Sequence, residues 1–423
     1  MKILQLTHKP PVPSVDGGCL AMRQISDSLL KAGVDIKVVS IATMKHPIIH
    51  SEEFINYKNS TQFESVTVCT NLKISNIFKS IFRGTSLQAD RFFSKEMTQK
   101  LKTVLEQEPY DVVILESVFV GNYIETIKKY TNAKIILRVH NIEHLIWERL
   151  SKQTRNPLKK LAYQYLAKTL KRFELSLFHK IDGYMPITEV DYRYFKEKYP
   201  NLPAKVIPFA VTLSNYPYQE HAFDKNNISL FHIGSMNWQP NIEGMKWFLN
   251  HVWNKITRKH PNLTLVLAGK GNKAVFGKET LSNVQIFDFV DDAQQFMNRH
   301  TIMVVPLLSG SGMRIKIMEG LALGKPIITT TIGAEGIAIT DKENIFLADT
   351  PEAMIETIDF CVTHLEACAE TGKNARKLIE AKYAQEVVIQ DLLEVLFDIP
   401  PITHYNTQTV SSANPDYANL SAL

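Results

Sequence analysis

Short apolar runs alternate with amphipathic segments along most of the chain. The run "MKILQLT" is followed by a loop with proline and glycine, by the amphipathic segment "CLAMRQISDSLLKAG", and by a second run, "DIKVVS". Two apolar runs separated by a helix that ends at Gly33 are typical of the β-α-β unit of a parallel sheet. Because "DVVILES", "AKIILRVH" and "IDGYMPIT" repeat the pattern, the sequence predicts a doubly wound α/β domain.

The alternation lapses over residues 206–227, which are rich in Pro, Asn and aromatic residues, and then resumes with "SLFHIG", "LTLVLAG", "VQIFDFV", "TIMVVPL" and "KPIITT". We therefore expect two Rossmann-like domains, at 1–205 and 228–382, joined by this linker. A helix over 383–399 follows, and its position allows it to cross back to the first domain. The polar residues 400–423 have no apolar period, which predicts a disordered tail.

The composition agrees with two soluble domains. A length of 423 residues exceeds what one core usually organises, and 45% hydrophobic with 22% charged residues is ordinary for a globular protein. The sequence has neither a membrane-spanning apolar run nor a signal-like N-terminus, so we expect a cytoplasmic protein. The four cysteines show no ligand spacing, which argues against a zinc site and against a disulfide framework.

One basic stretch departs from the mild net charge of +5. Between Lys152 and Phe173 lie seven Lys or Arg and no acidic residue. Apolar residues recur there at helical spacing and favour a solvated face over a core stripe: Leu158, Leu161, Tyr165 and Leu166. The alternative is peripheral contact with anionic lipid, which the cationic and aromatic residues 73–84 also favour. Nucleic-acid binding would need a stronger and more continuous basic surface.

The segment "GSGMRIKIMEGLALGKPIITT", residues 310–330, carries the most specific chemistry. Its middle predicts a helix between two strands, with one apolar stripe and a stop at Gly324. Gly310, Ser311 and Gly312 then occupy the turn from strand to helix, where free N–H groups and the positive helix end favour an anion.

Three charged residues follow this turn. Arg314 and Lys316 are suited to a diphosphate, and Glu319, three residues after Lys316, to the hydroxyls of an attached ribose. The alternative is that Lys316 and Glu319 form an ordinary pair on a helix surface. The spacing excludes both the dinucleotide fingerprint and the P-loop, because the third glycine of the first and the Ser or Thr of the second are missing.

Residues 302–336 resemble the donor-site signature of the GT-B glycosyltransferases of family 4, retaining enzymes that use nucleotide sugars. The shared features are the glycine turn, a glutamate before a small-residue helix, "GKPII" and "GAEG". "PSVDGG", "RVHNIEH", "LAGKG" and "DFVDD" resemble further family segments. The resemblance implies two facing Rossmann-like domains, with the donor held by the second and the acceptor by the first.

The resemblance also implies roles for individual residues. Glu319 matches the second glutamate of the family's E-x7-E pattern, which holds ribose hydroxyls, and Ser311 stands where the first glutamate would place the donor sugar. The cations that family members carry after the first strand of the second domain are missing from "HIGSMNWQPNIEGMKWF". Arg314 and Lys316 are expected to replace them and to neutralise the leaving diphosphate.

The remaining candidates line the expected cleft. Gly17 and Gly18 precede a helix and either face the ligand or form a plain turn, and His140 ends a strand near the transferred sugar as a polar contact. The sequence also assigns donor-side roles to Met313 and Glu335 and weak acceptor-side roles to Glu116 and Asn141. No D-x-D motif is present, so we expect no metal and no cofactor.

The sequence thus predicts a retaining glycosyltransferase that moves a sugar from a nucleoside diphosphate to a hydroxyl of a glycan or lipid-linked acceptor, in cell-surface polysaccharide or glycoconjugate synthesis. Two alternatives remain open. One is a nucleotide-sugar epimerase on the same architecture, which would need no acceptor. The other is a degenerate relative that binds nucleotide or glycan and serves as an assembly partner.

Overall fold

Two α/β domains face each other across a cleft in the computed structural model, which describes residues 1–71, 85–154, 156–218, 227–277, 281–310 and 312–398. The strands are β1 Lys2–Thr7, β2 Asp35–Ala42, β3 Glu64–Thr67, β4 Val112–Glu116, β5 Lys134–Val139, β6 Gly183–Pro186, β7 Ser229–Ile233, β8 Thr264–Ala268, β9 Val284–Phe287, β10 Ile302–Val305, β11 Ile327–Thr329 and β12 Phe346–Leu347.

The helices lie between these strands and after the last of them. In the first domain they are α1 Gly17–Lys31, α2 Glu52–Ser60, α3 Leu87–Asp90, α4 Lys95–Gln107, α5 Ile124–Tyr130, α6 Glu143–Gln153, α7 Pro157–Leu177 and α8 Glu189–Lys198. In the second they are α9 Gln239–Phe248, α10 Asn254–Lys259, α11 Asn272–Phe276, α12 Ala293–Arg299, α13 Ile315–Ala322, α14 Pro351–Thr363 and α15 Leu365–Lys382, followed by α16 Gln385–Asp398.

Both sheets have six parallel strands in the same spatial order. The first runs β3-β2-β1-β4-β5-β6. The second, read from its β9 edge, runs β9-β8-β7-β10-β11-β12. Counted within each domain, this is the 3-2-1-4-5-6 order of a doubly wound sheet, whose ligands bind where the order reverses. The predicted α/β fold with two Rossmann-like domains is confirmed, and the reversal points are β1/β4 and β7/β10.

Each sheet is covered on both faces, which explains why its strands read as continuous apolar runs. On β1, Leu4 and Leu6 belong to one core cluster, whereas Ile3 belongs to the cluster on the opposite face. That second cluster also contains Val388 and Leu392 of α16. The last described helix therefore packs in the core of the first domain.

The predicted core stripe on α7 is wrong at its N-terminal end. Leu158 is 79% exposed and Leu161 66% exposed, and fully buried positions of this helix begin only at Ala167. The first turns of α7 lie beyond the domain core, so these leucines face solvent. Residues 73–84, the second stretch considered for lipid contact, lie outside the described residues, as does the tail 400–423. No helix in the described ranges is both long and apolar enough to cross a bilayer.

Candidate functional site

The two reversal points face each other and enclose a cavity of about 340 Å³. Parallel strands of both sheets end here, which places the polar residues after each strand on the cavity wall. The first domain contributes His8, Lys9, Gly17, Gly18, His140 and Asn141, and the second contributes Gly312, Met313 and Ile315.

In the first domain, a short polar contact joins His140 to Glu116. His140 Nε2 lies 2.7 Å from Glu116 Oε2, and Gln5 Nε2 donates to Glu116 Oε1 at 2.7 Å. Glu116 is fully buried. The acceptor contact predicted for Glu116 therefore does not fit its position, because its carboxylate lies under His140 and orients that ring toward the cavity.

His8 supplies a neutral imidazole beside His140. Its Nδ1 lies 2.9 Å from the carbonyl oxygen of Glu116. Since a carbonyl only accepts, Nδ1 carries the proton and Nε2 is left as an acceptor. Burial, together with the charge of Lys9, lowers the pKa of His8 to about 3. The ring is therefore uncharged at neutral pH.

The glycine loop before α1 is fixed by Asp16. The Asp16 carboxylate caps α1 by accepting from the Cys19 amide at 2.9 Å, and it also accepts from Lys9 Nζ at 2.7 Å. A side chain on Gly18 would lie 2.8 Å from that amine, and one on Gly17 would lie 3.3 Å from Ile315 of the opposite domain. The absence of side chains at both positions therefore lets the amine and α13 approach the loop.

The N-terminus of α6 brings a further carboxyl group to the cavity. Glu174 of α7 accepts hydrogen bonds from the backbone amides of Glu143 and His144, so a distant side chain caps this helix. Glu143 lines the cavity, and Asn141 Nδ2 donates to it at 3.4 Å. Burial and the charge of Glu174 raise the pKa of Glu143 to about 8. At neutral pH this group is a protonated carboxyl that can donate a hydrogen bond.

On the second domain, the turn before α13 depends on glycine. Gly310 has φ +120° and Gly312 has φ +80°, a region that other residues rarely adopt. Arg314 follows as the N-cap residue of α13. Its guanidinium donates to the Gly312 carbonyl at 2.7 Å and lies over the Trp238 ring at 5.4 Å. Ser311, between the two glycines, lies outside the described residues.

Lys316 points from α13 to the turn that follows β7. Its amine donates to Asn241 Oδ1 at 2.9 Å and lies 3.3 Å from His232 Nε2. His232 Nδ1 is 2.8 Å from the Val304 carbonyl, so Nε2 is the acceptor atom of this ring. Burial and the neighbouring Arg314 lower the pKa of Lys316 to about 7. The amine thus lies beside the turn where the sequence lacks the family's cations.

Glu319 lies one turn further along α13 and is held by the linker between the domains. Tyr216 Oη donates to Glu319 Oε1 at 2.9 Å. Arg376 anchors this linker residue, because its guanidinium donates to the carbonyls of Tyr216 and Ala322 at 2.7 and 2.6 Å. Burial raises the pKa of Glu319, while the bond from Tyr216 opposes that shift.

Glu335 lies on a neighbouring groove of about 740 Å³ and not on the cavity itself. Its carboxylate meets Arg149 of α6 across the domain boundary at 3.5 Å. Met313 and Asn141 line the cavity as predicted for the cleft wall, and Asn141 Oδ1 approaches Gly312 so closely that a side chain there would lie 3.2 Å away. The two domains therefore touch on both sides of the α13 turn.

Together these residues can hold an anionic ligand that carries hydroxyl groups. Arg314 and the N-terminus of α13 lie at the glycine turn, Lys316 lies beside the turn that follows β7, and a carboxylate follows on the same helix. The imidazole and carboxyl groups of the first domain line the cavity together with Gly312 and Met313 of the glycine turn. The second domain thus forms the side suited to an anion, and the first domain forms a side suited to hydroxyl groups.

Comparison with known proteins gives a family match for the second domain. Residues 227–364 match the model of the family described as glycosyl transferases group 1. That match contains β7 to β12 and the whole α13 turn. The C-terminal domain therefore resembles the group 1 glycosyltransferases. The resemblance that the motifs indicated is confirmed, and the protein is an enzyme of the glycosyltransferase class.

Full-length relatives of this glycosyltransferase are distant in sequence. An uncharacterised 44.6 kDa protein in the cps region of Klebsiella pneumoniae is 21% identical and aligns over 93% of this chain and 99% of its own. An uncharacterised glycosyltransferase of Haemophilus influenzae is 22% identical, over 88% of this chain and 94% of its own. The shared region therefore includes both domains.

Solved structures share the whole fold. HepE of Anabaena, crystallised with UDP, has a TM-score of 0.63 at 14% identity and covers 94% of this chain and 99% of its own. Sucrose-phosphate synthase of Thermosynechococcus elongatus has a TM-score of 0.66 at 14% identity, with coverage of 93% and 98%. At such identities the likeness establishes the two-domain GT-B fold.

Several residues of the glycosyltransferase cleft were missed from sequence. His8 and Lys9 directly follow β1, where a doubly wound sheet presents ligands, but their proline-rich context indicated only a loop. Nothing in the pattern "HNIEH" singled out Glu143, although it stands three residues after His140. Its place on the cavity follows from the helix that starts at this residue, because the first turn of α6 points into the cleft.

Proposed function

We propose that this chain is a retaining glycosyltransferase that transfers a sugar, of hexose type, from a nucleoside diphosphate to a hydroxyl of a glycan or lipid-linked acceptor. The observation that carries the proposal is the convergence of Arg314, Lys316 and Glu319 on one short helix behind a glycine turn. A diphosphate needs cations and a helix N-terminus, and a ribose needs an acceptor for its hydroxyls.

The cationic side supplies the charge that the departing diphosphate requires. In the free enzyme the Lys316 amine is held by Asn241 and His232, so its position is set before a donor binds. A bound diphosphate would favour the charged amine, because an opposite charge at close range raises a lysine pKa. Fixed cations of this kind stabilise a leaving group without reorganisation during the reaction. Metal independence remains part of the proposal.

The first domain would present the acceptor and the transferred sugar. His140 is oriented by the buried Glu116, and Glu143 adds a neutral carboxyl group. We assign His140 as a polar contact for the transferred sugar. In a retaining reaction at one sugar face, the acceptor proton passes to the departing phosphate oxygen, so this wall needs to position hydroxyl groups and exclude water.

Two relationships support a role in surface polysaccharide synthesis. The Klebsiella pneumoniae relative is named for its cps region. HepE, which shares the fold, has been crystallised with UDP-glucose. We therefore propose UDP-sugars as the first donors to test. We also propose a cytoplasmic location, with peripheral contact between the enzyme and an anionic membrane.

A donor screen followed by product analysis tests this function. Thermal unfolding is measured with uridine, guanosine, adenosine and thymidine diphosphates. A ligand that binds only the folded state raises the free energy of unfolding, by about 2.7 kcal/mol at a hundredfold excess over Kd, and so raises the melting temperature. Sugar nucleotides of the selected base are then incubated with and without acceptor glycans. We expect a glycosidic product only with acceptor. Interconversion of free donors without acceptor would favour an epimerase, and binding without turnover would favour a degenerate partner.

A further inference from the structure

The tip of the α6-α7 hairpin exposes leucines that pack against nothing in the domain core. Leu158 and Leu161 of α7 are 79% and 66% exposed, and Leu150 in the last turns of α6 is 39% exposed. Single exposed apolar residues are ordinary, but three close to one connection between two helices are not. All three lie within about two helical turns of the residues that join the helices.

The same tip is cationic. Lys152, Lys159 and Lys160 are exposed beside the leucines. The sequence from Lys152 to Phe173 contains seven basic residues and no acidic one. Leucines that emerge between lysines on a helix fit the interface of an anionic bilayer, where the apolar groups enter the acyl boundary and the amines meet the headgroups. Such charge disfavours a symmetric contact with a second copy, because the same lysines would oppose each other.

The tip also adjoins the entrance between the domains. Leu150 lines the groove of about 740 Å³, together with Leu308 and Ile332 of the second domain. Those two side chains are 37% and 39% exposed, so each domain contributes exposed apolar side chains to the groove, beside charged ones such as Arg149 and Glu335. A surface that holds the tip would therefore lie next to the groove.

We propose that the α6-α7 tip docks on an anionic lipid bilayer, with Leu158 and Leu161 inserted and the lysines at the headgroups, so that the groove opens toward the membrane. The bilayer contact locates the peripheral membrane contact proposed above and does not depend on catalysis. Its consequence for the substrate rests on the proposed function: an acceptor taken through this groove is carried on a membrane lipid, with its sugar part toward the cavity and its apolar part toward the bilayer.

Vesicle sedimentation tests the contact with the full-length chain. Vesicles of phosphatidylcholine alone are compared with equimolar phosphatidylglycerol and phosphatidylcholine, at low and at high salt. We expect binding to the anionic vesicles, weaker binding at high salt, and little binding to the neutral ones. Leu158→Ser with Leu161→Ser is expected to reduce partition at least about tenfold. Equal partition of the wild type onto both vesicles would overturn the proposal.

Two further variants separate the contributions. Lys159→Gln with Lys160→Gln should weaken vesicle binding at low salt. High salt should then reduce the remaining binding of this variant only slightly. Met44→Ser with Ile55→Ser removes two exposed apolar groups elsewhere in the first domain, 78% and 52% exposed, and should bind like the wild type. If the double leucine variant retained full vesicle binding while the lysine variant lost it, the attraction would be purely electrostatic. The proposed insertion of the leucines would then be wrong. If the double leucine variant lost self-association of the protein while its vesicle binding stayed unchanged, the tip would instead be a contact between two copies of the chain.

A catalytic comparison keeps this inference apart from the proposed function. The melting-temperature shift with uridine diphosphate should be the same in the wild type and in the double leucine variant, because Leu158 and Leu161 line neither the cavity nor the groove beside the α13 turn. If transfer is detected, the variant should lose it with acceptors in vesicles and keep it with detergent-dispersed or soluble acceptors. Vesicle binding without any transfer would uphold the contact and refute the function, whereas equal loss with both acceptor forms would overturn the link between the tip and the acceptor.

Discussion

The phenol of Tyr216 donates a hydrogen bond of 2.9 Å to the carboxylate of Glu319. Tyr216 belongs to the linker between the domains, and Glu319 lies on the helix that follows the glycine turn. The proposed ribose contact is therefore tied to the segment about which the domains would move. Arg376, which donates to the Tyr216 carbonyl, keeps this segment in place.

Tyr216→Phe should weaken donor binding without abolishing it. The change removes one hydrogen bond to a charged group, worth about 1 to 2 kcal/mol, so we expect the Kd for the donor nucleotide to rise roughly five- to thirtyfold. Calorimetric titration measures this. Tyr199→Phe is the matched control, because that phenol donates to the Leu175 carbonyl within the first domain and faces no donor. An unchanged Kd in Tyr216→Phe would show that Glu319 does not depend on the linker.

Glu116→Gln should cost stability. The buried carboxylate lies 3.6 Å from the Arg138 guanidinium and 2.7 Å from His140 Nε2. A neutral amide leaves that guanidinium without its counter-charge, and breaking a buried pair costs about 3 to 5 kcal/mol. Urea unfolding of Glu116→Gln and of Glu125→Gln, an exposed residue of α5, gives the comparison. Equal stabilities would mean that Glu116 does not balance the buried charge.

Donor affinity should fall as the pH rises above neutrality. The pKa of Lys316 in the free protein is about 7, lowered from 10.5, so the amine loses its charge through this range and must regain it when a diphosphate binds. The unfolded chain binds this proton up to about pH 10.5, and folding stability therefore changes in the opposite direction, increasing with pH. Lys325, with a pKa also near 7, shares the stability effect but not the donor effect.

Titrations of uridine diphosphate from pH 6 to pH 9 distinguish these contributions. The wild type should lose affinity by up to about tenfold per pH unit above the pKa. Lys316→Arg carries a permanent charge and should give a flatter profile. If both proteins had the same pH dependence, the titrating group would not be Lys316.

Glu143 should act in its protonated form. Its pKa of about 8 reflects burial and Glu174, with Asp191 adding to the rise and with Asn141 and Lys9 opposing it. Glu143→Gln keeps a neutral group that can donate a hydrogen bond, so transfer at pH 7 should stay within about threefold of the wild type. Glu143→Ala should lose more, through a higher KM for the acceptor.

The pH dependence of the acceptor KM is the discriminating measurement for Glu143. At saturating donor, the wild-type KM should change as the carboxyl ionises above about pH 8, whereas the KM of Glu143→Gln should stay constant. Glu148→Gln, on the same helix near Lys171, serves as the control. Identical profiles for the wild type and Glu143→Gln would remove Glu143 from the acceptor site.

The parts of the fold and site that could be predicted from sequence depend on local patterns. Apolar runs and a glycine turn are set by neighbouring residues, and they identified both sheets and the α13 segment. The partners of Glu319 and Lys316 were not accessible, because Tyr216 and Asn241 are remote in sequence. Such contacts arise only when the linker and the β7 turn pack against α13.

Burial was the second quantity that the sequence could not decide. Leu158 has the spacing of a core residue, yet the domain ends before it. Glu116 has the position of a ligand contact at a strand end, yet His140 and Gln5 cover it. In both cases the periodicity gives the face of the element, and only the tertiary packing determines whether that face meets the core, the cleft or solvent.

Calorimetric titration of the nucleoside diphosphate selected by the donor screen, with the wild type and with Lys316→Met at pH 6.5, tests the central claim most directly. Lys246→Met, which removes an exposed lysine of α9, is the control. The account predicts one site in the wild type and the control, and a Kd at least about thirtyfold weaker in Lys316→Met, since a charged contact to phosphate is worth about 2 to 3 kcal/mol. The same Kd in all three proteins would contradict the assignment of the diphosphate to the α13 turn.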